Sequence, residues 1–194
     1  YPFRKDRKSP LELKAHFETN LKEPDYYQQH LYTNHYRWDN DFGKISTTKV
    51  EGTLSIPRWK LDASFGYALL DNNIYYDTLG IVRQNTKPMS VMTASLRKDF
   101  QLWKFHFDHR LLFQLSSDKE VMPLPMLGLN FRYYAEFVVV KNAMTMQIGA
   151  NGTFTTKWYA PAYNPVLGVF HNQNKEEFGN CPYIDAFVNV QWKR

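Results

Sequence analysis

Eight stretches of this chain carry an apolar residue at every second position, and that period of two constrains the fold more than any other feature. Around residues 10–19, Leu11, Leu13, Ala15 and Phe17 alternate with Glu12, Lys14, His16 and Glu18. Around 44–56, Val50, Gly52, Leu54 and Ile56 alternate with Lys49, Glu51, Thr53 and Ser55. A helix would scatter such residues around its circumference, whereas a strand sends them all to one side. The other stretches fall near 61–70, 89–98, 102–115, 126–137, 143–158 and 183–192, and no amphipathic helix of similar quality appears. The pattern predicts an all-β fold, an antiparallel up-and-down meander of about eight strands.

The connections carry the second constraint. Residues 57–60, 98–102 and 138–142 are short links, while 20–43, 71–88, 116–125 and 159–182 are longer. Long and short links alternate strictly, as they do in transmembrane barrels with long outer loops and short periplasmic turns. A soluble sandwich has no reason to keep that order. Mean hydropathy is −0.54 and no apolar run is long enough to cross a bilayer as a helix. That excludes a helical membrane protein but not a barrel, whose alternating strands have low average hydropathy.

Aromatic residues make up 16% of the chain, and their positions agree with two interfaces. Trp59, Phe100, Trp103, Phe137 and Trp192 fall at the short-link ends; Tyr67, Trp158, Tyr159 and Tyr183 fall at or near the long-link ends. Rings with one apolar and one polar edge favour the headgroup level. Trp59, Trp103, Phe137, Trp158, Tyr159 and Trp192 are therefore candidates for two aromatic girdles.

The expected architecture is an arc of a transmembrane β-barrel. Residues 1–194 read as one barrel domain, and the start at Tyr1, with neither an initiator Met nor a leader, suggests a fragment of a larger barrel.

Other function classes find less support. The net charge is +5, but Lys and Arg are scattered, so nucleic-acid binding is not expected. The one basic run, FRKDRK at residues 3–8, reads as a solvated turn or frayed end. Cys181 is the single cysteine and has no partner for a disulfide or a zinc site.

The densest cluster of reactive side chains is in LWKFHFDHRLLFQL at residues 102–115. On a strand His106, Asp108 and Arg110 share one face while His109 points to the other, so the two histidines cannot clasp one metal ion. No G-x-S-x-G elbow marks a nucleophile, Ser116 and Ser117 read as loop, and Glu176 and Glu177 read as solvated. No catalytic residue, metal or cofactor is expected, and the chain is not read as an enzyme.

What remains is the charge on the polar faces. Lys49, Glu51, Lys104, His106, Asp108, Arg110, Arg132, Glu136 and Lys157 are candidates for lining a water-filled lumen, where mixed charge would bias passage by size and electrostatics. The opposite face is uniformly apolar except for His109, which suggests a place near an interface or a subunit contact.

Three stretches of the last third, YYAEF at 133–137, TKWYAPAYNPVLGVFHNQN at 156–174 and FGNCPYIDAFVNVQWKR at 178–194, resemble the porins of Bacteroides-like outer membranes. The resemblance implies a bacterial outer-membrane β-barrel of porin type, with further strands on either side of this piece. It implies no catalytic motif.

With the polar faces, it makes passive diffusion of small hydrophilic solutes the expected function, with outer-membrane lipid and those solutes as partners and a homo-oligomer as a further expectation. The alternative is a non-conducting outer-membrane receptor or structural barrel. The long loop APAYNPVLGVFHNQNKEEFGNCP would either constrict the mouth or lie on the surface, with Asn164-Pro165 and Gly179-Asn180 as turn formers.

Overall fold

The computed structural model describes residues 11–141 and 143–192. Residue 10, the basic run at 3–8, the start at Tyr1 and Asn142 of the third short link lie outside them. Fourteen strands appear in chain order: β1 (Glu12–Lys22), β2 (His30–Tyr32), β3 (Arg37–Asp39), β4 (Ile45–Ile56), β5 (Leu61–Asp71), β6 (Asn73–Tyr76), β7 (Val82–Asn85), β8 (Met89–Leu102), β9 (Phe105–Ser116), β10 (Leu127–Val140), β11 (Met144–Thr155), β12 (Ala162–Asn164), β13 (Val169–His171) and β14 (Tyr183–Trp192). Among the described residues there are also one short α-helix, α1 (Tyr26–Gln29), and one 3-10 turn at Pro57–Trp59.

The eight long strands form a single antiparallel sheet in the order β1-β4-β5-β8-β9-β10-β11-β14, each pairing with the next long strand in the chain. This is the meander expected from the alternation, and all eight expected strands are present. β1 and β14 are each paired on one side only, so the sheet is open, an arc of a barrel rather than a closed ring.

Register keeps the two faces separate across the whole sheet. Phe17 faces Val50, Val50 faces Tyr67, Tyr67 faces Met92 and Met92 faces Leu115. Further on, Leu111 faces Leu129, Leu129 faces Phe154, and Ile148 faces Val188. A slip of one residue at any pairing would turn a whole strand inside out, so the shared face pins the register.

The short turns step along the sheet. Leu61, at the start of β5, is paired with Lys98 rather than with the last residue of β8, and Phe105, at the start of β9, is paired with Ala135 rather than with the end of β10. A staggered register of this kind tilts strands against a barrel axis.

Some boundaries differ from the sequence reading. The fourth strand runs past residue 98 to Leu102, because Phe100 and Leu102 continue the apolar face and Asp99 and Gln101 the polar one. Its turn is therefore Trp103 and Lys104, with Trp103 in the left-handed region at φ 56°; Lys60 closes the preceding short turn at φ 47°. The seventh strand stops at Thr155, which leaves residues 156–158 to the loop that follows.

Burial is inverted relative to a soluble sandwich. Phe17 is 66% exposed and Val188 62%, and none of the described elements packs against the apolar face. The buried hydrophobic side chains among the described residues are Trp38, Val82, Met89 and Val121, with Met89 the most deeply buried, and all four lie in or beside the long loops.

Those loops hold three small hairpins the alternation did not reveal, β2 with β3, β6 with β7, and β12 with β13. Strands of three or four residues are too short to show a period.

Candidate functional site

The polar face is built from cross-strand rows. One row runs Asp99, Asp108, Arg132, Asn151, Asp185 over β8, β9, β10, β11 and β14. The row toward the long loops runs Asp62, Arg97, Arg110, Asn130, Thr153. Arg97 Nη2 reaches Asp108 Oδ2 at 3.3 Å, while Arg110 forms no ion pair among the described residues. Lys49 and Glu51 pair at 2.7 Å along one strand, and Gln147 Nε2 donates to Glu136 Oε2 at 2.8 Å. These groups are exposed or half-buried, so their ion pairs contribute little stability.

Toward the short turns lies an aromatic row, His106, Tyr134, Gly149, Phe187. The His106 imidazole stacks on Tyr134 at 4.5 Å with rings 2° from parallel, and the Arg132 guanidinium sits 5.2 Å above Tyr134 and 4.6 Å above Phe187. Gly149 between the rings has no room for a side chain: a Cβ there would lie 2.2 Å from the Tyr133 carbonyl oxygen and 2.5 Å from Tyr134 Cβ. Gly149→Ala is expected to destabilise the sheet by about 1–3 kcal/mol through overpacking. A denaturant titration of the folded protein in detergent checks this.

Seven of the nine lumen candidates, Lys49, Glu51, His106, Asp108, Arg110, Arg132 and Glu136, share this polar face. Two do not stand where the sequence reading put them. Lys104 is in the β8–β9 turn, with its ammonium over the rings of Trp103 (4.8 Å) and Phe137 (5.4 Å), and Phe137 belongs to the apolar face. Lys157 follows the end of β11 and lies 3.8 Å from Glu177 among the loops.

The aromatic candidates divide in the same way. Trp59, Trp103 and Trp192 are exposed at the short-turn end and Phe137 is near it, but Trp158 and Tyr159 are built into the loops, where Trp158 exchanges backbone hydrogen bonds with Phe178.

The four long loops lock into one roof. Asn164 Nδ2 donates to Tyr36 Oη at 2.8 Å, joining the fourth loop to the first. The Asn172 side chain donates to the Glu120 and Val121 carbonyls at 2.6 and 3.0 Å, and its backbone N–H to the Tyr76 carbonyl at 2.9 Å, joining the fourth loop to the third and second. Gln84 and Gly43 exchange two hydrogen bonds at 2.7 and 3.0 Å between the second loop and the first.

The roof also meets the polar side of the sheet. Met89, 2% exposed, pairs with Leu70 and shares a face with Val91, Ser95 and Arg97. The outer end of the polar face is thus apolar and covered, and the charged rows lie below it. A cavity of about 470 Å³ opens between the first and fourth loops, lined by Trp38, Tyr76 and Leu167.

Asp77 holds the second loop closed. Its carboxylate accepts the N–H groups of Leu79 and Ile81 at 2.9 and 3.0 Å and the Arg83 Nε–H at 2.5 Å. Partial burial pushes its pKa up, but the Arg83 hydrogen bond, the two backbone N–H groups and the Arg83 charge outweigh that and hold it below the usual carboxylate range. A lowered folded pKa means that the ionised carboxylate stabilises the loop at neutral pH and that this is lost as pH falls through the folded value. Resonances of residues 77–83 are expected to hold their positions from pH 7 to 5 and to shift only below the ordinary aspartate range. In Asp77→Asn they would already be displaced at pH 7.

No helix among the described residues is long and apolar enough to cross a membrane, which says nothing of strands. The model of the family described as "Putative porin" matches residues 1–194, the whole chain. No curated protein and no solved structure shows significant similarity to it.

Proposed function

Because the chain belongs to the "Putative porin" family, we propose that its sheet is part of the wall of a bacterial outer-membrane channel through which small hydrophilic solutes diffuse passively. The observation that carries this reading is the two-sidedness of the sheet, charged on one face and apolar on the other across eight strands apart from Lys98 and His109. An uncovered apolar face of this size is unstable in water and suited to hydrocarbon. The mixed charges then face the lumen, where Arg97, Arg110 and Arg132 among Asp62, Asp99, Asp108 and Asp185 give a mild preference rather than tight binding. The loop roof narrows the entrance above them.

Planar-bilayer recording on the full-length parent protein tests the proposal. Stepwise conductance with weak ion selectivity is expected. Insertion without conductance at any voltage would overturn it in favour of a non-conducting receptor or structural barrel.

A further inference from the structure

The apolar face carries one polar patch, which a channel wall does not require. Lys98 and Phe100 on β8, Phe107 and His109 on β9, and Phe131 and Tyr133 on β10 form a block two residues deep and three strands wide, since Lys98 pairs with His109, His109 with Phe131, Phe100 with Phe107, and Phe107 with Tyr133.

The polar members are held in place. His109 Nε2 hydrogen-bonds the Tyr133 hydroxyl at 2.7 Å, and the His109 ring stands edge-on to Phe100 at 6.0 Å. The Lys98 ammonium lies 5.1 Å from the centre of the same Phe100 ring and donates to the Trp59 carbonyl. It therefore reaches back to the short turn of the neighbouring hairpin, where Trp59 is 60% exposed.

Lys98 forms no ion pair among the described residues; the carboxylate next to it in sequence, Asp99, is on the other face and pairs with Lys60. Its charge therefore stays uncompensated on a face meant for hydrocarbon, and a long side chain resolves this by carrying its ammonium to the headgroup level. The group that completes such a site is an anion with apolar chains attached, the phosphate toward Lys98 and the chains along Phe100, Phe107 and Phe131.

We infer that the block formed by Lys98, Phe100, Phe107, His109, Phe131 and Tyr133 is a docking site for an anionic phospholipid of the leaflet at the short turns. The inference rests on the proposal that the apolar face meets lipid.

The test uses the full-length protein in vesicles containing phosphatidylglycerol or phosphatidylcholine brominated on the acyl chains. The signal from Trp59 is isolated by subtracting that of Trp59→Phe. Stronger quenching by the anionic lipid is expected at equal content, with the preference falling about fivefold in Lys98→Gln, since one lysine near an anionic surface is worth about 1 kcal/mol. Lys98→Arg keeps the charge and should keep the preference; its loss there would overturn the assignment.

Equal quenching by both lipids in the unaltered protein would overturn the docking site while leaving the lipid-facing reading intact. Quenching by neither, the result if a second copy of the chain covered the patch, would overturn both readings of this face. The comparison of the two lipids needs no change within the block itself, only the Trp59→Phe reference at an exposed residue of the short turn.

Discussion

Leu96→Arg is expected to destabilise the membrane-inserted protein by about 2–4 kcal/mol, and Ser95→Arg, one residue away, by no more than the lost hydroxyl pair, about 1 kcal/mol. Leu96 is mid-strand on β8, between Ala63 and Leu111 on the apolar face. An arginine there must be dragged into hydrocarbon or deform the bilayer. Ser95 occupies the opposite face, where its hydroxyl lies 2.7 Å from that of Ser64, and an arginine there adds one cation to the charged rows.

The two variants separate stability from selectivity. In urea titrations of the full-length protein in lipid vesicles, Leu96→Arg should lose folded protein at markedly lower urea. Ser95→Arg should unfold near the parent midpoint and shift the reversal potential toward anions. Equal costs on the two faces would mean that the apolar face does not meet lipid.

Trp38→Ala is expected to dismantle the loop roof, with a local cost of about 3–5 kcal/mol, the usual range for truncating a buried aromatic residue. Trp38 is 8% exposed, its indole N–H donates to the Tyr27 carbonyl at 2.9 Å, and its ring meets Tyr36 and Tyr76 at 6.1 and 6.4 Å. It thus joins the first loop to the second, and through Tyr36 to Asn164 of the fourth.

Because the eight long strands are held together by their own backbone pairing, the loss should stay local. Limited proteolysis would cut within residues 23–44 and 156–182 while the strands remain protected. If the roof narrows the mouth, single-channel conductance should rise in the same variant. Unchanged proteolysis would show that the loops are held by their hydrogen bonds alone.

The sheet was legible from sequence because one of its faces is apolar and the other polar along its whole width, so every strand carries the same period, and Phe17, Val50, Tyr67, Met92 and Leu115 could be placed on one side without knowing their partners. The roof was not, because its order comes from single side chains reaching other loops. Asn172, which ties three loops together, looks like any loop asparagine, and Trp38 is one apolar residue between Arg37 and Asp39.

The misplaced candidates show where the period fails. Lys104 and Lys157 were assigned to faces by continuing an alternation past the ends of the strands, where a left-handed residue at 103 and the departure at Thr156 break it. Trp158 and Tyr159 lie at the expected end of the sheet, but they belong to the fourth loop, which the Trp158–Phe178 bridge ties together.

His109 was visible as an exception on the apolar face. Its explanation needed Tyr133, far away in sequence and diagonal to it on the next strand.

On the proposed channel reading, the stepped register of the short turns bears on the path of a solute. Asp99 and Asp108 lie close to their own turn, whereas Asn151 and Asp185, in the same row, lie near the opposite ends of β11 and β14. A row that is level across the sheet therefore climbs the wall as an oblique thread. An ion handed from Asp99 past Arg132 to Asp185 would advance along the pore and around it together. Exchanging Arg132 with Asp185 would then alter the order in which a permeating ion meets each sign of charge without altering the total, a difference that rectification reports and conductance alone does not.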